Sequence, residues 1–331
     1  MRRATVAYAA VRPLLLDAGL LVGGLALLTF AADRFVLGAV RLASALRVSP
    51  VLIGALVIGF GTSAPEFVVT ILATLAGSQD LAYGNVIGSN TTNVLLVLGA
   101  AGLVSPLQVR FTTLRRELPL MLAAVALLTV VAFDARVSTL DALLLLGGTV
   151  LALGVIVRTA RRDRAAALAL ATEVATYEGG THARLGSAAG LALAGLVGTL
   201  VGAQLVIEGA VGIAAAAGLS EAVIGFTLVA VGTSLPELVT AVAAARRAEP
   251  ELVVGNVLGS NIFNALPVAG VAGLLDTVML DPSFRTGLAF MVGSCVLAAV
   301  FLRTGARIAR GEAGLLLGLF LAAMAYTIVA G

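Results

Sequence analysis

The 331-residue chain has no tryptophan, no lysine, one cysteine and one histidine. Each shortage excludes something. A lone cysteine, Cys295, cannot form an intrachain disulfide, and in its apolar surroundings it reads as a small core residue. The only histidine, His182, sits in a polar loop and reads as a surface residue, so no His/Cys set exists for zinc or copper. Aromatic residues make up 5%, and no basic patch is interleaved with them, which argues against nucleic-acid binding. All 21 basic residues are arginine; beside abundant Ala, Gly and Leu, the basic pI of 9.6 reflects composition rather than a polyanionic partner. Charged residues are only 12%, against roughly a quarter in an ordinary globular domain.

What fills the chain instead is apolar. Hydrophobic residues make up 60% and the mean hydropathy is +1.08. Apolar runs of about 20 residues recur, long enough to cross a hydrocarbon core of roughly 30 Å as helices. The run from Leu14 to Phe30 is long for a cleaved signal and has a counterpart in the second half, so it reads as a membrane helix. The expectation is an all-α membrane protein with ten transmembrane helices, at about 14–32, 48–76, 81–104, 117–133, 138–158, 187–208, 219–246, 251–275, 286–303 and 311–330. Segments 35–46 and 209–217 read as partly helical connections.

The chain repeats itself. Gly61-Thr62-Ser63-Ala64-Pro65-Glu66 returns as Gly232-Thr233-Ser234-Leu235-Pro236-Glu237, and Gly84-Asn85-Val86-Ile87-Gly88-Ser89-Asn90-Thr91-Thr92-Asn93 returns as Gly255-Asn256-Val257-Leu258-Gly259-Ser260-Asn261-Ile262-Phe263-Asn264. Both pairs lie 171 positions apart, as do Ala18-Gly19 and Ala189-Gly190, or Asp141 and Glu312. This divides the chain into a first five-helix repeat at 1–160, a linker at 161–186 and a second repeat at 187–331. An odd number of helices per copy makes the two repeats inverted. Arginine placement agrees: with the linker cytoplasmic and both termini outside, 16 arginines fall inside and 5 outside, three of these near the N-terminus. Asp33, Glu208 and Glu221 lie near helix ends, where interfacial solvation suffices.

Glu66 and Glu237 lie within long apolar helices. An ionised carboxylate there needs a proton, a cation or a basic partner, and no arginine lies within a helical turn or two. Pro65 and Pro236 lack an N–H and crowd the carbonyls of Gly61 and Gly232, so the turns at 59–62 and 230–233 are expected to open and free carbonyl oxygens. Thr62, Ser63, Thr233 and Ser234 add hydroxyls. Asn85, Ser89 and Asn93 are spaced by four, as are Asn256, Ser260 and Asn264; each trio shares one helix face and reads as the other wall of a pocket. A duplicated carboxylate with only oxygen ligands around it points to a hard cation such as Ca²⁺.

At these motifs the sequence resembles the cation/Ca²⁺ exchanger superfamily, in its Na⁺/Ca²⁺ exchanger branch. The resemblance implies alternating-access antiport of Ca²⁺ and Na⁺ with no resident cofactor and no enzymatic activity. It makes Glu66 and Glu237 the central carboxylates, with Thr62, Ser63, Thr233, Ser234, Ser89 and Ser260 ligating Na⁺ and Asn93 and Asn264 lining the centre. It implies a prokaryotic plasma (inner) membrane location, Ca²⁺, Na⁺ and membrane lipid as partners, and no obligate protein or nucleic-acid partner. Helices 1 and 6, with weakly polar faces at Gly23, Gly24, Gly195 and Gly198, would slide past the rest. Some exchangers carry Asp where Asn264 stands, so the motifs here supply two formal negative charges, and the short linker leaves no room for a cytosolic Ca²⁺-sensing domain. Ca²⁺/H⁺ exchange is the rival reading, because two close buried carboxylates are plausible proton carriers. An intramembrane enzyme or a channel is a distant alternative: no membrane histidine exists, and the Ser and Glu positions are duplicated rather than divided between roles.

Overall fold

The structure, a computed structural model, describes residues 2–46, 48–109, 111–162, 185–217, 230–276, 278–281 and 284–330. Most of the linker with His182, and the stretch 218–229 with Glu221, lie outside the described residues. The first half contains α1 (Arg2–Leu46), then α2 (Pro50–Ile53), α3 (Phe60–Thr62) and α4 (Ala64–Leu75), with a π-helical turn at Gly54–Gly59 between α2 and α3. Next come α5 (Gln79–Thr92), a π turn at Asn93–Val97 and α6 (Leu98–Val104). A two-residue strand β1 (Leu107–Gln108), α7 (Phe111–Ala132), strand β2 (Arg136–Val137) and α8 (Thr139–Arg162) complete it.

The second half repeats this order with α9 (Leu185–Ala216), α10 (Ala230–Thr233), α11 (Leu235–Arg246), α12 (Pro250–Phe263), a π turn at Asn264–Val268 and α13 (Ala269–Leu275). Then follow β3 (Val278–Met279), α14 (Phe284–Gly305), β4 (Arg307–Ile308) and α15 (Arg310–Ala330). Six helical spans among the described residues are long and apolar enough to cross a membrane, and a seventh arises if the pair 50–62 and 64–75, bent by 42°, is one span. This is an all-α, multi-spanning membrane fold.

The segments at 35–46 and 209–217 are not connections: α1 and α9 run through them without a break up to Leu46 and Ala216. Local chemistry sets the helix ends elsewhere. Ser49 accepts from the Leu52 N–H ahead of Pro50, which suits a first helical position. Ser138 and Asp141 cap α8 reciprocally, Asp141 Oδ2 accepting from the Ser138 N–H at 2.9 Å. At the matched position, Glu312 accepts from the Ala309 N–H at 2.7 Å. The turns match as well: Gly77 and Ala248 are both left-handed, and so are Ala135 and Ala306.

The halves interlock rather than stand side by side. Helices α1 and α9 pack along each other, with Gly38 against Ala192, Phe35 against Gly195, Leu28 against Gly202 and Leu21 against Gly209. Position falls on one helix as it rises on the other, so equivalent helices run antiparallel, as an inverted repeat requires. Helix α6 packs on α15, and α13 packs on α8. The strands exchange partners in the same way: Leu107 pairs with Ile308, and Val278 with Val137. Tyr83, fully buried on α5, donates to the Ala269 carbonyl across the boundary at 2.9 Å.

Asp33 does not rely on solvent alone. Its carboxylate takes both Arg247 Nε and Nη2 at 2.8 Å, tying α1 to the end of α11. Both groups are partly exposed, so the pair contributes about 0–1 kcal/mol. Glu208 is exposed and accepts from Gln204.

The α1–α9 seam depends on missing side chains. A Cβ at Gly202 would stand 2.6 Å from the Leu28 backbone nitrogen, whereas one at Gly23 would meet nothing within 4 Å among the described residues. Gly202→Ala is expected to cost about 1–3 kcal/mol through overpacking, and Gly23→Ala to be neutral or to stabilise by up to about 1 kcal/mol. Thermal unfolding of the two variants in detergent checks this; equal melting temperatures would mean that the seam is looser than its geometry.

Candidate functional site

Two helix breaks build the site. Pro65 and Pro236 prevent a regular turn just upstream, and the chain yields at Ser63 (φ −81°, ψ 9°) and Ser234 (φ −89°, ψ 7°). The break falls one residue beyond the turns that the sequence led us to expect: Phe60–Thr62 and Ala230–Thr233 are helical. Ser63 N–H still bonds the Gly59 carbonyl at 3.2 Å, and Ser234 N–H tightens onto Val231 at 3.2 Å. The proline clash is thus absorbed at the serine instead of opening the preceding turn. Glu66 and Glu237 follow in the first turns of α4 and α11, where the positive end of the helix dipole favours a carboxylate by up to about 2 kcal/mol.

The serines bring the halves together. Ser63 Oγ donates to Glu237 Oε1 at 2.9 Å, and Ser234 Oγ donates to Glu66 Oε1 at 3.3 Å. Each break therefore holds the other half's carboxylate. All four residues are buried, and Glu66 and Glu237 are 0% and 1% exposed. The second oxygen of each carboxylate, Glu66 Oε2 and Glu237 Oε2, has no hydrogen-bond partner among the described residues.

Asn93 and Asn264 are fully buried and open the π turns at 93–97 and 264–268. Each turn packs crosswise: Asn93–Val97 on α11, which carries Glu237, and Asn264–Val268 on α4, which carries Glu66. No side-chain atom of either asparagine finds a hydrogen-bond partner among the described residues. A buried polar atom left unpaired costs about 1–3 kcal/mol, and π turns are frequent at functional positions. Two carboxylate and two amide oxygens, buried and without partners among the described residues, are donors of the type a hard cation takes. Among the described residues no group of three acidic, His or Cys side chains converges anywhere.

The hydroxyls divide. Ser63 and Ser234 touch the carboxylates directly. Thr62 is buried and donates to the Ile58 carbonyl at 2.9 Å and, more weakly, to Asn256 Oδ1 at 3.4 Å. Ser260 donates to the Gly59 carbonyl at 3.1 Å, an approach that Gly59 permits, since a Cβ there would lie 2.9 Å from the Asn256 carbonyl oxygen. Ser89 is buried on α5 four residues before Asn93, and Thr233 is buried beside the second break. Phe263, next to Asn264, lies against Phe60 with ring centroids 4.6 Å apart and against Phe67 at 6.1 Å, an apolar cover next to the polar cluster.

Two features were not visible in the sequence. The first is the π turns: Pro267 signals one, but Leu96 stands at its matched position. The second is the aim of Asn85 and Asn256. Their amides reach the backbone carbonyls of Glu66 at 3.0 Å and Glu237 at 3.4 Å, not the carboxylates they were expected to face.

The sodium/calcium exchanger protein family model matches residues 16–158 and again 187–329, with the same 171-residue offset at both ends. The chain belongs to the sodium/calcium exchanger family. Among its relatives, the inner membrane protein YrbG of Escherichia coli is 37% identical over 93% of this chain and 95% of that protein. The sodium/calcium exchanger MaX1 of Methanosarcina acetivorans is 31% identical over 92% of this chain and 96% of that protein. A structure of the sodium-calcium exchanger NCX_Mj soaked with zero Na⁺ and Ca²⁺ superposes with a TM-score of 0.82 at 32% identity, covering 95% of this chain and 99% of that one. The exchanger likeness thus spans both halves, including both glutamate breaks.

Asn93→Leu and Asn264→Leu each replace unpartnered amide atoms by an apolar group of similar volume. With neither Ca²⁺ nor Na⁺ added, both variants are expected to match or exceed the parent in thermal stability, by up to about 3 kcal/mol. Melting curves in choline buffer measure it, and a clear loss of stability would show that the amides have protein partners after all.

Proposed function

We propose that this exchanger-family chain is a secondary antiporter that moves Ca²⁺ against Na⁺ by alternating access at one midplane site shared by the halves. The observation that carries this reading is the reciprocal pair of bonds, Ser63 to Glu237 and Ser234 to Glu66, which supports one pocket shared by the two repeat copies. Glu66 and Glu237 bridge the ions. Asn93 and Asn264 supply central oxygens, and Thr62, Ser63, Ser89, Thr233, Ser234 and Ser260 ligate Na⁺ on either side. A hydroxyl that donates its hydrogen to a carboxylate keeps lone pairs for a cation.

In this reading ten transmembrane helices form two inverted five-helix repeats, 1–160 and 187–331, joined by a cytoplasmic linker at 161–186, with both termini outside and the chain in a prokaryotic plasma membrane. The arginine bias supports that orientation. One Ca²⁺ or several monovalent ions neutralise the two glutamates, and only the neutralised site crosses readily, which enforces exchange over leak. The α1–α9 pair, packed along its own seam, is the element that shifts against the rest.

The test is ⁴⁵Ca²⁺ uptake into proteoliposomes loaded with Na⁺, beside K⁺-loaded vesicles with an outward proton gradient. Uptake is expected to require internal Na⁺, and Glu66→Gln or Glu237→Gln is expected to reduce it to background. Uptake driven by protons alone would assign Ca²⁺/H⁺ exchange; full exchange in both glutamine variants would remove the glutamates from the site.

A further inference from the structure

Asn85 and Asn256 belong to the duplicated motif but lie outside the ligand set above. Asn85 Nδ2 donates to the Glu66 carbonyl and to Thr70 Oγ1, both at 3.0 Å. The Glu66 carbonyl needs a donor, so the amide orientation is fixed. These bonds join α4 to α5 at the level of Glu66, while Ser89 and Asn93 follow on the same face about 6 and 12 Å further along α5. Asn85 thereby sets how high the Glu66 carboxylate stands relative to the oxygens of α5.

Asn256 does the same in the second half and more. Its Nδ2 donates to the Glu237 carbonyl at 3.4 Å, while its Oδ1 shares the Thr62 hydroxyl hydrogen at 3.4 Å with the Ile58 carbonyl and the Ser260 hydroxyl hydrogen at 3.5 Å with the Gly59 carbonyl. These are long bonds that share one buried amide, which is 1% exposed. That amide touches the carboxylate-bearing helix of its own half, the hydroxyl of α12 and the threonine of the other half.

We infer that Asn85 and Asn256 are positioning residues that set the register of Glu66 and Glu237 against the oxygens of α5 and α12, and that Asn256 couples this register across the halves through Thr62. Both act on the glutamate carbonyls through their N–H donors, Asn256 meets Thr62 through its Oδ1 acceptor, and neither ligates the ion. The inference rests on the ion-site reading above.

The discriminating substitution is Asn→Asp. A ligating asparagine would tolerate it, because a carboxylate oxygen binds Ca²⁺ better than an amide oxygen. A positioning donor would not at a pH where the new Asp is ionised, because an ionised Asp has no hydrogen to donate and would set a charge against the glutamate carbonyl. Asn85→Asp, Asn85→Ala, Asn256→Asp and Asn256→Ala are compared at equal amounts of monodisperse protein. Two readouts are taken: the Ca²⁺ and Sr²⁺ concentrations that half-maximally raise the melting temperature, and KM for both ions in Na⁺-driven uptake. All four variants are expected to weaken Ca²⁺ about tenfold, the equivalent of one lost hydrogen bond of about 1.4 kcal/mol. They are also expected to change the Ca²⁺/Sr²⁺ ratio, because the spacing of the oxygens changes. Asn256→Ala and Thr62→Val are expected to be non-additive, and Asn85→Ala and Thr62→Val additive.

Asp variants that bind Ca²⁺ as well as or better than the parent would overturn the inference in favour of direct ligation. Unchanged ion concentrations and ratios with only less folded protein would overturn it in favour of a purely structural role. A parent that shows the Ca²⁺-dependent melting shift but no Na⁺-driven uptake would sink the exchange reading while leaving the register argument to be decided by the melting data.

Discussion

The structure is governed by one electrostatic demand: two carboxylates, Glu66 and Glu237, are buried with no cationic side chain bonded to them among the described residues. Desolvating a carboxylate in a low-dielectric interior costs several kcal/mol even after relaxation. The protein offsets part of this with helix N-termini and one serine hydroxyl per carboxylate, and the second oxygen of each has no partner among the described residues. An apolar scaffold that satisfied those oxygens internally would be more stable and would have no use for a cation.

Duplication meets this demand in a way a single copy cannot. Each copy supplies a break, a carboxylate and a π turn; each break bonds the other copy's carboxylate, and each π turn packs on the helix that carries it. The same exchange recurs at the periphery, where β1 pairs with β4 and β2 with β3. Antiparallel packing of α1 on α9 through glycines sets the inversion that lets equivalent groups face each other. The paired serines and glutamates are therefore drawn from both halves.

Much of this was legible because the sequence repeats itself. An isolated Glu66 in an apolar run would be ambiguous; a second at the same place in a matched copy points to a shared pocket, and in the structure each glutamate bonds the serine of the other half's break. Spacing by four aligned the polar positions of α5 and α12. Contacts that depend on how two helices meet were not legible. The proline clash is taken up one residue downstream because Ser63 and Ser234 can adopt ψ near 0° at little cost. Asn85 sits on the expected face yet bonds a backbone carbonyl, because the helix beside it presents main chain at that height. The π turns at Asn93 and Asn264 share no local signal, since only the second contains a proline. The short strands escape any periodicity test, being two residues long.

The central claim is that two copies make one site. Equilibrium binding of ⁴⁵Ca²⁺ to the detergent-solubilised chain, titrated with Na⁺, tests it most directly. One Ca²⁺ per chain, displaced by Na⁺ and lost equally in Glu66→Gln and in Glu237→Gln, is the predicted result. Two Ca²⁺ per chain, with each glutamine variant retaining one, would contradict it and return each repeat its own site.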